Sequence, residues 1–196
     1  MHYTHILVIL IIIVSLLMLI QGVNNELVYQ ISTIDNKKYL VRNDERKQES
    51  ADYMAKIKKS IYILIEHLKT NYANDERIHL LQKKYNPDSI SESMKSSLYT
   101  SYSVNKGEKL VICIKEKNTQ ETFIDMNTVM FVVIHEIAHI ITISIGHTKE
   151  FWSNMKFLLE NAISLGIYTH KNYKKNPKKY CGIMITDSPI DNDNDA

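Results

Sequence analysis

Hydrophobic positions follow three patterns along this chain, and each predicts a different kind of element. The first pattern is continuous. No Asp, Glu, Lys or Arg precedes Glu26, and Ile6 to Ile20 is apolar except for Ser15. Wound as a helix, Tyr3 to Val23 would extend about 31 Å, close to the ~30 Å of a hydrocarbon core. A terminal segment that is apolar on every face does not suit a buried core helix. Residues 1-24 are therefore expected to form an uncleaved transmembrane anchor, with a signal peptide as the alternative. Against cleavage stand an n-region without Lys or Arg and the lack of an A-x-A-like site, with only Gly22 after the bulky Ile20. Lys37, Lys38 and Arg42 follow the segment and none precedes it. The positive-inside rule then places the C-terminal domain on the cytosolic side of a single-pass membrane protein.

The second pattern has a period of two. Leu27 to Arg42 alternates around Asp35-Asn36, with Val28, Ile31, Tyr39 and Val41 as strand positions, and predicts a β-hairpin at the edge of the domain. Thr100 to Val104 and Leu110 to Ile114 flank Asn105-Lys106-Gly107-Glu108, which predicts a second hairpin. Lys109 to Ile114 is a candidate edge for an extended peptide, or equally an ordinary core strand.

The third pattern is helical. Ile57, Ile61, Leu64 and Leu68 mark a long amphipathic helix within Glu45 to Tyr72, with Lys56, Lys58 and Lys59 turned to water. Asp75 to Tyr85 predicts a short helix ended before Pro87. Asp125 or Asn127 can cap a strongly apolar helix running to about Ile143, and a last helix, Lys149 to Leu165, stops at Gly166. The expected class is α+β: an N-terminal transmembrane helix, then a domain over residues 25-190 in which a small β-sheet packs on three or four helices. Residues 191-196 form an acidic tail, expected to be disordered.

Composition narrows the function. The 196 residues suit one domain with an appendage, and a formal charge of +2 excludes a strongly cationic nucleic-acid binder. Two cysteines, Cys113 and Cys181, are too few for a disulfide scaffold or a cysteine zinc knuckle, and their spacing does not say whether they pair. Lys171, Lys174, Lys175, Lys178 and Lys179 alternate with Tyr173 and Tyr180. That stretch reads as a solvated loop or, alternatively, as a contact for nucleic acid or an anionic membrane.

The chemistry lies in FVVIHEIAHIITISIGHTKEFW, Phe131 to Trp152. His135 and His139 stand one helical turn apart on one face, a separation suited to two ligands of one tetrahedral zinc. Glu136, rotated by about 100°, is placed to act as general base on a water. Thr128, His135, His139 and Thr142 form a polar seam within about 60° on an otherwise apolar helix. The third ligand is expected to be His147, after a reversal at Gly146. The rival, Glu160, projects about 180° from Phe151, onto the polar face of the last helix with Ser153 and Lys156. Tyr168, His170 and Tyr180 are the donors available downstream to an oxyanion, and the sequence does not choose among them.

HEIAH followed by GHTKEFW and an amphipathic helix resembles the minimal zincin peptidases of the WLM and SprT-like type. The resemblance implies a zincin-like domain, zinc as cofactor, ligands at His135, His139 and His147, Glu136 as catalytic base and Phe151 as packing aromatic. It covers about the last third of the chain. WLM sequences usually hold the third histidine closer to the second than His147 is to His139. The Asn, Lys and Ile content and the tail YCGIMITDSP are similar to membrane-linked zincin-like proteins of large DNA viruses, which would make the domain cytosolic or virion-facing. The expectation is thus a membrane-anchored zinc metallopeptidase acting on a protein or peptide, with nucleic acid not a partner. The alternatives are a non-catalytic anchored scaffold of the virion and a nucleic-acid-associated SprT-like protease.

Overall fold

The computed structural model describes residues 2–24 and 26–191, with side chains at 4–18 and 26–191. The expected acidic tail therefore lies, apart from Asp191, outside the described residues.

The N-terminal helix α1, His2–Asn24, forms, but the transmembrane expectation is corrected. Among the described residues, no helix is long and apolar enough to cross a membrane. The expected single-pass membrane localisation, with its cytosolic or virion-facing domain, falls with the span.

The remaining chain builds an α+β domain. β1, Leu27–Ile31, pairs antiparallel with β2, Lys38–Arg42, as the alternation predicts. The long helix α2, Lys47–Asn71, and the short α3, Glu76–Lys84, carry the chain to β3, Ile90–Glu92, which lies parallel to β2. β4, Tyr102–Val104, and β5, Lys109–Ile112, form the second hairpin, and β5 lies parallel to β3. The order is β1-β2-β3-β5-β4, so the free edge beside the histidine helix is β4. The expected peptide-binding edge at Lys109 to Ile114 is thereby corrected: β5 is flanked on both sides, and its backbone groups face the neighbouring strands.

Two helices complete the core. α4, Met126–Ile141, and α5, Lys149–Ser164, pack together, and Val129, Val133, Ile137, Phe151, Met155 and Leu158 are fully buried. Ile57, Ile61, Leu64 and Leu68 of α2 are buried in the same core, so the helical periodicity reports the inward face.

A buried charge cluster ties the sheet together. Glu92 on β3 accepts the Arg42 backbone N–H at 2.8 Å. Its other oxygen lies 3.4 Å from both Arg42 Nε and Lys115 Nζ, and Lys115 also pairs with Asp44. Losing both cations would leave the Glu92 carboxylate uncompensated in the interior, an effect of about 3 to 5 kcal/mol.

Past α5 the basic stretch is not a plain loop. β6, Lys178–Tyr180, and β7, Ile183–Ile185, pair antiparallel across Cys181 and Gly182. These two take φ of +46° and +92°, the positive values a two-residue hairpin turn requires. Cys181 is disulfide-bonded to Cys113 at the end of β5. The hairpin is held to the sheet a second time, by a closed ring of hydrogen bonds. The Cys113 N–H donates to Ser101 Oγ at 2.9 Å, Ser101 Oγ and Tyr180 Oη lie 2.6 Å apart, and Tyr180 donates to the Cys113 carbonyl at 2.8 Å.

Candidate metal centre and active site

Both ends of α4 are tied down. At its start Asp125 accepts from the Thr128 N–H at 3.0 Å and the Thr128 hydroxyl at 2.8 Å. At its end the Thr142 hydroxyl donates to the Ala138 carbonyl at 2.7 Å and accepts from Asn154 Nδ2 of α5 at 3.0 Å. The outer members of the polar seam are thus satisfied within the protein. The two histidines between them face outward from the core.

The chain then turns. Gly146 takes φ +84°, Thr148 caps α5 by accepting from the Phe151 N–H, and His147 between them points back at α4. Lys106, from the turn between β4 and β5, donates to the carbonyls of Thr142, Ile143 and Ser144 at 2.7, 2.9 and 3.3 Å. Glu150 accepts from the N–H groups of Ile143 and Ser144 at 2.9 and 3.1 Å. A helix C-terminus leaves its last carbonyls without intrahelical partners, and Lys106 supplies them.

The result is a convergence of imidazoles. His135 Nε2 lies 3.2 Å from His139 Nε2 and 3.1 Å from His147 Nε2, and the ligand atoms of the three residues all fall within 4.8 Å of one another. Tetrahedral zinc with bonds of about 2.0 to 2.1 Å sets neighbouring ligand nitrogens roughly 3.3 Å apart. The donor set and spacing fit such an ion, and the triad can hold a metal. Burial and the neighbouring His139 and His147 push the His135 imidazole down to about 3. Burial, then His147 and Lys106, push His139 down to about 4. Both rings are neutral at pH 7, the form that donates a lone pair to a metal.

Aromatic rings back the cluster. The Phe151 ring is fully buried, with its centroid 4.9, 4.3 and 4.7 Å from those of His135, His139 and His147. Trp152 lies 5.4 Å from His147 and is partly exposed. Glu136 is only 7% exposed, and burial raises its carboxyl to about 7, against the opposing pull of the Ser103 N–H.

His135 and Glu136 line two clefts at once. One is a shallow groove that also reaches His139, His147 and residues 101–103 at the β4 edge. The other is a deeper cavity of about 340 Å³ bounded by α4, α5 and the β6–β7 hairpin. Glu160 is elsewhere, exposed and 4.0 Å from Lys156. Tyr168 is buried against Phe131, and His170 Nε2 lies 2.8 Å from Asp191. Tyr180 lines the deeper cavity, but its hydroxyl is engaged by Ser101 and the Cys113 carbonyl. The sequence reading overlooked Lys106, Trp152 and the β6–β7 hairpin. Only Trp152 had a signal, its place beside Phe151 at the start of an amphipathic helix.

Comparison with known proteins accords with this arrangement. The WLM domain family model matches residues 30–195. An uncharacterized protein of Acanthamoeba polyphaga mimivirus is 33% identical over 165 residues, 82% of this chain and 83% of that protein. An uncharacterized protein of Invertebrate iridescent virus 6 is 39% identical over 82 residues, 41% of this chain and 44% of that protein. The crystal structure of Wss1 from Saccharomyces cerevisiae aligns with a TM-score of 0.48 at 15% identity, covering 64% of this chain and 87% of that one. The family match across most of its length and the mimiviral relative place this chain in the WLM domain family, with a zincin-like metallopeptidase fold.

Proposed function

We propose that the chain is a zinc-dependent peptidase in which His135, His139 and His147 hold the metal and Glu136 is the catalytic base. The observation that carries this reading is the convergence of the three imidazoles, with the Nε2 atoms of His139 and His147 each at about a tetrahedral edge from that of His135, and a buried carboxylate on the adjoining helix position. When bound, zinc supplies a Lewis acid that polarises the scissile carbonyl and acidifies a water.

The protein's own groups do the rest. Phe151 and the pinned loop fix the imidazoles in place, and hydrocarbon around α4 limits access of bulk water. Glu136 accepts the proton of the attacking water and passes it to the leaving amine, so that one C–N bond breaks and acid and amine products form. A carboxyl poised near neutrality can both take and give a proton. The substrate is a protein or peptide lying along the β4 edge, where an extended chain can pair with a free strand.

Metal analysis and cleavage of an unstructured protein test this. Wild type is expected to bind one zinc and cleave, and Glu136→Gln to keep the zinc while losing about 10² to 10⁴ in rate. Absence of cleavage by the zinc-loaded wild type would favour a scaffold that keeps the fold without turnover.

A further inference from the structure

A separate hollow lies away from the histidines. It occupies about 430 Å³ between α2 and α3, and it shares no lining residue with the two clefts at the imidazole cluster. Its floor is buried hydrocarbon, Ile65 of α2 and Leu81 of α3. Two phenol rings flank it: Tyr62, 63% exposed on the outer face of α2, and Tyr85, partly buried at the end of α3.

Charge distinguishes the two ends of this hollow. Lys58 and Lys69 line it three turns apart on α2, about 16 Å along the helix axis. Lys69 lies 2.7 Å from Glu66, which lines the cavity with it, so that end is neutral. Lys58 lies 2.7 Å from Asp88, but the two are unequally placed: the lysine side chain is 15% exposed and the aspartate 78%. The ammonium is thus held at the cavity by packing while its partner stands in water. Such a pair is weak, and another anion can take the place of the exposed member. Tyr85 belongs to the same end, since the Asp88 carboxylate acts on its phenol as well as on Lys58. Burial, then Asp88, push that phenol up, so near neutral pH it keeps its proton and can donate it in a hydrogen bond.

The geometry points to a binding site for a small aromatic monoanion, its rings lying on Ile65 and Leu81 between Tyr62 and Tyr85 and its carboxylate on Lys58. The volume is in the range of small-molecule sites and accommodates a two-ring body. Flat rings gain more against the two phenols than an aliphatic body of equal area would. The lining sets two lysines against one glutamate, so a monoanion completes its charge. A cation would find only Glu66, which Lys69 already holds. The site is independent of the peptidase reading and needs no zinc.

The zinc-loaded full chain, isotopically labelled, is titrated with 2-naphthoate and with its neutral isostere 2-naphthamide, and amide shifts locate each ligand. Naphthoate is expected to shift α2 from Lys58 to Lys69 and α3 from Leu81 to Tyr85, saturably, and to bind about fivefold or more tightly than naphthamide. Lys58→Met keeps the stem that packs and removes the charge. It should weaken naphthoate about tenfold and leave naphthamide unchanged, which also shows that the hollow is intact. Asp88→Asn removes the competing carboxylate and should tighten naphthoate by up to about fivefold, again without effect on naphthamide. A gain of that kind is not produced by a variant that merely disturbs the fold. Tyr62→Ala should weaken both ligands.

Equal affinity for the two ligands, or a loss of naphthoate affinity on Asp88→Asn, overturns the assignment. Shifts confined to α4 and the His147 loop would place the carboxylate on the zinc and overturn it as well, as would shifts confined to α1. The absence of any saturable shift at millimolar ligand has the same force.

Discussion

Lys106 Nζ donates to the Thr142 carbonyl at 2.7 Å, joining the β4–β5 turn to the end of the histidine helix. Through this contact and those to Ile143 and Ser144, one ammonium fixes the start of the loop that carries His147. Lys106→Met keeps the stem but removes the donors. It is expected to weaken zinc binding about tenfold or more by loosening the His147 loop, while the fold, read by circular dichroism, is retained. His147→Ala should weaken binding further still, and Glu160→Ala not at all. A competition titration against a chromogenic chelator ranks the three; equal affinity for Lys106→Met and wild type would show that the loop holds itself.

The disulfide between Cys113 and Cys181 closes a loop of 68 residues in sequence separation. In the chain-entropy view that constraint stabilises the fold by about 4 kcal/mol. Replacing both cysteines by alanine should lower stability to urea by about 2 to 4 kcal/mol. It should also speed amide exchange over Lys178 to Ile185 more than over α4. Unchanged exchange in the hairpin would mean that the Ser101, Tyr180 and Cys113 hydrogen bonds suffice to hold it.

How much of this was legible in the sequence depends on how many residues each element offers to a pattern. α2, α4 and α5 are long, and their buried faces repeat often enough for Ile57, Val133 or Leu158 to be assigned in advance. The three histidines were legible because helical spacing fixes two of them and Gly146 licenses the reversal to the third. β3 was invisible: its three residues are all buried, two of them polar, so Ser91 and Glu92 break any alternation. The β6–β7 hairpin was hidden because Lys178 and Lys179 face water and its turn, Cys181-Gly182, lacks the Asn-Gly or Asp-Gly signature. At the N-terminus the failure ran the other way: continuous apolarity was taken for a span, and among the described residues no helix is long and apolar enough to cross a membrane.

Two glycines separate the strain of a backbone angle from the strain of contact. Both Gly107 and Gly146 take positive φ, at +117° and +84°. A Cβ at Gly146 would meet nothing within 4 Å, whereas one at Gly107 would lie 2.8 Å from the Lys84 carbonyl oxygen and 3.2 Å from Ile140 Cδ1. Gly146→Ala is therefore expected to lower stability by about 1 kcal/mol, the conformational penalty alone. Gly107→Ala should lower it by about 2 to 4 kcal/mol, because α3 must shift as well. Thermal denaturation of the two variants side by side decides it, and equal losses would mean that the Lys84 backbone yields freely.

The buried Glu136 carboxyl has a measurable signature in the metal-free protein. Burial raises the Glu136 carboxyl from 4.5 to about 7. Below about pH 4.5 the group is protonated in folded and unfolded chains alike, and burial then carries no ionic penalty. As the pH rises through the window from 4.5 to about 7, the unfolded chain ionises while the folded one does not, and stability falls. Each unit is about 1.4 kcal/mol, so the loss approaches roughly 3 kcal/mol above neutrality. Glu136→Gln, which cannot ionise, escapes that loss. In excess chelator it should match wild type near pH 4.5 and exceed its stability by up to about 3 kcal/mol near pH 8. With zinc restored, the cation favours the carboxylate and the difference should shrink. Urea denaturation at both pH values, with and without zinc, gives the four numbers. A Glu136→Gln advantage independent of pH would mean that the carboxylate is already hydrated in the folded chain, and that water reaches α4 more freely than its hydrocarbon surroundings imply.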